Sequence, residues 1–152
     1  CPRGDVAGHV IGLPGLLDVV HRLGHHAQVE ADCAAGQAPA CAASGWHQSI
    51  LFKNEAAAVP LLDRACQAGD LVSCPEYALL DIEGDGAKKT QAAEKACAAK
   101  IAPGCVVLGN ALEHGWWGNK VDKPKAKAAY IRACEASDEA RCPANKIKAK
   151  AR

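Results

Sequence analysis

Lys95-Ala96-Cys97-Ala98-Ala99-Lys100-Ile101-Ala102-Pro103-Gly104-Cys105 places two cysteines eight residues apart across a Pro-Gly pair. The same separation recurs at Cys33/Cys41, Cys66/Cys74 and Cys134/Cys142. Four pairs with one spacing define an internal repeat. Their first cysteines lie 33, 31 and 37 residues apart, the length of one helical hairpin. On one continuous helix, eight residues at ~1.5 Å each would separate the two Cα atoms by roughly 12 Å. A disulfide needs them within about 7 Å, so a bridge requires the chain to reverse between the cysteines. Turn formers stand between them: Gly36 and Pro39, Gly69 and Asp70, Pro103 and Gly104, Ser137 and Asp138.

The expected pairing is therefore 33–41, 66–74, 97–105 and 134–142, each bridge spanning a turn between two helices. Zinc is the competing use of paired cysteines. Structural zinc ligands usually have two to four residues between them, whereas seven stand between these. A ring of this size stabilises by about 2–3 kcal/mol on the chain-entropy model. Bridges of this kind belong to an oxidising compartment.

Aligned on the first cysteine, the chain repeats Arg64-Ala65-Cys66, Lys95-Ala96-Cys97 and Arg132-Ala133-Cys134. Helix-forming stretches precede these, over residues 56–66, 91–97 and 126–134. Further helical runs follow the second cysteines, over residues 75–82 and 106–114, with Pro75 and Pro143 suited to a first helical turn. Residues 84–89 and 115–124 read as the loops that close the hairpins. The expected fold is all-α: an αα-hairpin repeat solenoid over residues 28–152, preceded by a divergent segment 1–27 read as a capping helix.

Lys95-Ala96-Cys97, Cys105, Leu108-Gly109, Leu112, Gly115, Val121-Asp122-Lys123 and Lys125-Ala126 together resemble the Sel-one-like repeat family. The likeness is to its cysteine-paired form, as in Helicobacter-type cysteine-rich proteins and a related cytochrome c oxidase assembly factor of the mitochondrial intermembrane space. It covers residues 28–142 and departs from the pattern at Asp81, where the family has Tyr, and at Tyr77-Ala78, where it has Leu-Gly. The resemblance implies a right-handed superhelix of hairpins with a scaffolding or adaptor role. In the β-lactam-binding relatives it implies a cell-envelope enzyme as the alternative. None of Ser44, Ser49, Ser73 or Ser137 has a Lys three residues on, so the usual serine mechanism lacks its base.

Composition sets the remaining bounds. Hydrophobic residues make up 49% of the 152 and aromatics only 4%, so the core is built from small aliphatic side chains. Residues 10–20, the most apolar run, contain Pro14 and Asp18 and are too short to span a bilayer. Net charge is +1, but residues 120–152 carry ten Lys/Arg against four Asp/Glu. A basic tail reads either as a solvated end or as a docking surface for an acidic protein partner. Without interleaved aromatics or a binding motif it does not read as a nucleic-acid site.

The expected function is a protein-interaction module: a scaffold, adaptor or accessory subunit, periplasmic or secreted, with the mitochondrial intermembrane space as the alternative. Its candidate contact residues are Tyr77, Leu80, Asp81, Leu108 and Leu112, with Trp116, Trp117, Lys120 and Lys123 of the longest loop. Two glycine-flanked Trp rings read as one covering the hairpin and one anchoring a partner. No catalytic residue and no cofactor are expected. His21 and His25, at i,i+4, form a weak metal or heme candidate, interrupted by Gly24. Cys1 is the unpaired cysteine, read as a lipidated N-terminus or a fragment boundary, and membrane association is expected only through it or a partner.

Overall fold

The computed structural model describes residues 27–80 and 84–137. Among these there is no strand. Residues 27–34 form α1, followed by α2 Ala38–Ile50, α3 Glu55–Gln67, α4 Ser73–Leu80, α5 Gly86–Ala98, α6 Ala102–His114, a 3-10 turn Trp116–Gly118 and α7 Lys123–Ala136. From α2 to α7, each helix packs on the next in sequence.

One rule starts α3, α5 and α7. Asn54, Asp85 and Asp122 each stand 12 residues before a first cysteine. Their side chains accept the amides of Ala57, Ala87 and Lys125 at 3.2, 2.8 and 2.9 Å, satisfying N–H groups that the helix leaves open. That hydrogen bond, with the charge of Lys125, holds the Asp122 carboxyl below the usual carboxylate range. Each helix then buries one stripe of small residues: Ala58, Leu62, Ala65, Cys66 on α3, and Ala126, Ala129, Ala133 on α7.

Cys33–Cys41, Cys66–Cys74 and Cys97–Cys105 are bridged across the intervening turns, with Cα separations of 4.5, 4.8 and 4.4 Å. Cys134 is also disulfide-bonded, while Cys142, the expected partner, lies outside the described residues. Such bridges point to an oxidising environment. The three turns share one geometry. The third residue after the first cysteine is left-handed: Gly36 (φ 88°), Gly69 (φ 104°) and Lys100 (φ 63°). The amides of Gln37, Asp70 and Ile101 then reach back to the carbonyls of Asp32, Ala65 and Ala96 at 2.9–3.0 Å, closing each helix end. After Cys134 the device changes: Ser137 is extended (φ −113°), and its hydroxyl donates to the Ala133 carbonyl at 2.9 Å.

Element boundaries correct the sequence reading at three places. Pro39, Pro103 and Gly104 lie inside the first turns of α2 and α6; proline fits there because those amides have no helical partner. Lys88 and Lys89, expected in a loop, lie in α5, because Asp85 caps the helix early. The loop expected over 115–124 contains a helical turn of its own and ends at the cap of α7.

The core is a string of local clusters. One joins Cys33, Cys41, Ala42 and Ala65; the next centres on Leu62, Cys66, Cys74, Tyr77 and Ala96; the third on Cys97, Cys105, Val107, Leu108 and Ala129. Close approach depends on a small residue four after each second cysteine: Gly45, Ala78 and Gly109. A Cβ at Gly45 would lie 2.7 Å from Leu62 Cγ, and one at Gly109 2.4 Å from Tyr130 Cε1.

Candidate functional site: the grooves between α3, α5 and α7

The helices that end in a basic residue, Ala and Cys line two open grooves. Asp63 and Gln67 of α3 face Lys88, Gln91 and Lys95 of α5 across a groove of about 250 Å³, with Tyr77 and Cys66 at its floor. Glu94 of α5 faces Lys125, Ala128 and Arg132 of α7 across one of about 330 Å³, floored by Leu108 and Leu112. Toward the disulfide end the second groove continues past Cys97, Lys100, Arg132 and Glu135. Both grooves are open to solvent along one side, unlike small-molecule sites, which bury most of their ligand.

The repeated basic residue has a fixed place here. Arg64 Nη1 donates to the Cys33 carbonyl at 3.4 Å and lies 3.9 Å from Cys33 Sγ. Lys95 lines the same groove as Cys66, and Arg132 the same recess as Cys97. Each cation thus stands near the C-terminus of the preceding repeat's first helix, the negative end of its dipole, and Lys95 and Arg132 also line the grooves.

The expected contact residues divide. Tyr77 and Leu108, each 4% exposed, are core residues that show only an edge at the groove floors. Each stands three residues after its second cysteine, as does the buried Ser44, and Tyr77 packs with Ala92 and Ala96, Leu108 with Ala129 and Ala133, of the next repeat. Leu80 and Leu112 are half-buried, Lys120 and Lys123 exposed. Asp81, His21, His25, Cys1 and all of segment 1–27 except its last residue lie outside the described residues. Trp116 is 38% exposed and stacks on His114 with centroids 5.8 Å apart. Trp117 is half-buried against the third core cluster. The loop holding them is docked on α5: Asn119 Nδ2 donates to Thr90 Oγ1 at 2.8 Å, and a Cβ on Gly86 would lie 2.2 Å from the Trp117 carbonyl oxygen.

Sequence reasoning missed Lys88, Gln91 and Arg132 as groove residues. The signal was present in the recurring basic-Ala-Cys triplet, which names the helices that line the grooves. Ser44 and Ser73 are buried, Ser73 donates to the Asp70 carboxylate, and Ser137 donates to Ala133. Among the described residues no group of three His, Cys, Asp or Glu is placed to hold a metal. None of their helices is long and apolar enough to cross a membrane.

Comparison with family models, with curated proteins and with solved structures gave no match.

Proposed function

We propose that this chain is a protein-binding module, an αα-hairpin solenoid of the Sel-one-like type that holds a partner in the grooves between α3, α5 and α7. The series of grooves carries the reading: their walls are polar, their floors are apolar, and they recur from one repeat to the next. A linear array of this kind suits an extended segment or another subunit better than a compact ligand. Trp116, exposed at the loop end of α6, serves as a second contact. A periplasmic or secreted setting, or the intermembrane space, fits the bridges, and the role is that of scaffold, adaptor or accessory subunit.

A photo-crosslinking side chain placed at Gln91, on the α5 wall of the groove, should capture one discrete partner in the native source. The same group at Ala43, exposed on α2 and outside both grooves, should not. Equal capture from both positions, or none from Gln91, overturns the groove assignment.

A further inference from the structure

We propose that the occupant of these grooves is an extended, acidic peptide segment of the partner, held at successive repeats by Lys95 and Arg132, with Arg64 in the same register. The proposal rests on the groove reading above and adds the chemistry of the ligand. Three observations support it.

The first is charge. The walls of the two grooves hold Lys88, Lys95, Lys100, Lys125 and Arg132 against Asp63, Glu94 and Glu135. The described residues as a whole carry equal numbers of Lys/Arg and Asp/Glu. The excess of cations is therefore concentrated on the groove face, and complementarity selects an anionic occupant.

The second is register. Arg64, Lys95 and Arg132 all stand two residues before a first cysteine, so equivalent head groups recur once per hairpin. These cations stand on every second helix, at most about two packing distances of roughly 10 Å apart, and an extended chain rises ~3.3 Å per residue. Carboxylates a few residues apart on one strand can thus reach successive cations. Arg and Lys bind carboxylates through charge-assisted hydrogen bonds, Arg through two at once. Gln91 on the same wall offers its amide group to the peptide backbone, and Gln67, whose Nε2 donates to Asp63 Oδ1 at 3.0 Å, offers its carbonyl oxygen.

The third observation separates a peptide from nucleic acid. Carboxylates at Asp63 and Glu94 interrupt the cations, which opposes the dense phosphates of a polynucleotide. The groove walls hold no aromatic ring for a base to stack on, since Tyr77 is buried at the floor.

Fluorescently labelled octaglutamate, titrated into the full oxidised chain and followed by anisotropy, tests the proposal. Saturable binding is expected, weakening at least about tenfold between ~50 and ~300 mM salt as the charges are screened. Lys95→Gln and Arg132→Gln should each weaken it about three- to tenfold, the scale of one charge-assisted contact. Arg132→Lys should recover most of the loss, which separates loss of the cation from misfolding. Lys53→Gln and Lys127→Gln, which remove the same charge outside the grooves, should change it by less than about twofold, the size of a screened distant charge. Absence of saturable binding, equal losses from the outside variants, or preference for an eight-nucleotide oligothymidylate would each overturn the proposal. Crosslinking from Gln91 separates it from the reading beneath it. A captured partner whose contact segment lacks Asp and Glu refutes the acidic ligand and keeps the groove; no capture refutes the groove.

Discussion

The ring of Tyr130 fills the space that a side chain at position 109 would need: a Cβ on Gly109 would lie 2.4 Å from Cε1 and 2.7 Å from Cδ1. The ring cannot easily retreat, because its hydroxyl sits 2.7 Å from Asn110 Oδ1 and 2.8 Å from Glu113 Oε2. Gly109→Ala should therefore destabilise the α6–α7 contact by about 1–3 kcal/mol, the usual cost of overpacking. The pair Ala78 and Ala93 occupies the same register one repeat earlier. A methyl is tolerated there because the facing residue is small. Gly109→Ala combined with Tyr130→Ala should accordingly cost less than the separate changes added together, measured by denaturant unfolding as a double-mutant cycle.

The same hydroxyl gives a pH signature. Burial, then the hydrogen bond and charge of Glu113, push the Tyr130 phenol well above its ordinary value. A phenol whose folded pKa is raised favours the folded state fully below its unfolded pKa of ~10. That contribution is lost as pH rises from there toward the folded value. Stability should fall in alkali above about pH 10, and Tyr130→Phe should make the fall shallower. Parallel alkaline curves for the two proteins would remove Tyr130 from this role.

Lys100 is the non-glycine member of a set whose other two are Gly36 and Gly69, all left-handed. A side chain in that conformation costs about 1–2 kcal/mol, which glycine avoids at some entropic cost. Lys100→Gly should gain up to about 1 kcal/mol, and Gly69→Ala should lose a similar amount. Thermal midpoints of the two variants moving in the same direction would contradict the shared turn geometry.

The bridges supply the next test. Replacing Cys66 and Cys74 together by Ala removes one ring and should cost about 2–3 kcal/mol. Peptide mapping without reduction should join Cys134 to Cys142; a Cys134 found joined to any other cysteine would break the register in the last repeat.

Much of this arrangement could be read in the sequence, and the exceptions have physical causes. The three described bridges and the helix pairs followed from an eight-residue spacing, because disulfide geometry tolerates little variation. Propensity alone places the starts of these alanine-rich helices too late. The caps decide them, and Asn54, Asp85 and Asp122 recur 12 residues before a cysteine as regularly as the cysteines themselves. The differences among the 33-, 31- and 37-residue intervals thus fall wholly between a second cysteine and the next cap. Tyr77 and Leu108 lie at the groove floors and not on an outer face; hydrophobicity alone does not say which of two helix faces meets the next repeat. Their offset of three from a bridged cysteine does, since the bridge fixes the helix's rotation.

Trp116 and Trp117 are adjacent, chemically identical side chains with opposite surroundings. Trp116 is partly exposed and leans on His114, itself at the solvent. Trp117 packs against the core cluster of α6 and α7 while its backbone, left-handed at φ 60°, lies close to Gly86. Trp117→Ala should cost about 2–3 kcal/mol, below the 3–5 typical of a fully buried aromatic because the ring is only half-buried. Trp116→Ala should change stability by less than about 1 kcal/mol, as for an exposed site without a special contact. Partner binding should respond in the reverse order, with Trp116→Ala weakening it at unchanged fold, because an exposed Trp beside Lys120 and Lys123 suits a pocket with an acidic rim. Denaturant unfolding of both variants, with affinity measured for the partner captured through Gln91, decides the matter. If Trp116→Ala destabilises as much as Trp117→Ala, the loop is structural throughout and the anchor assignment falls.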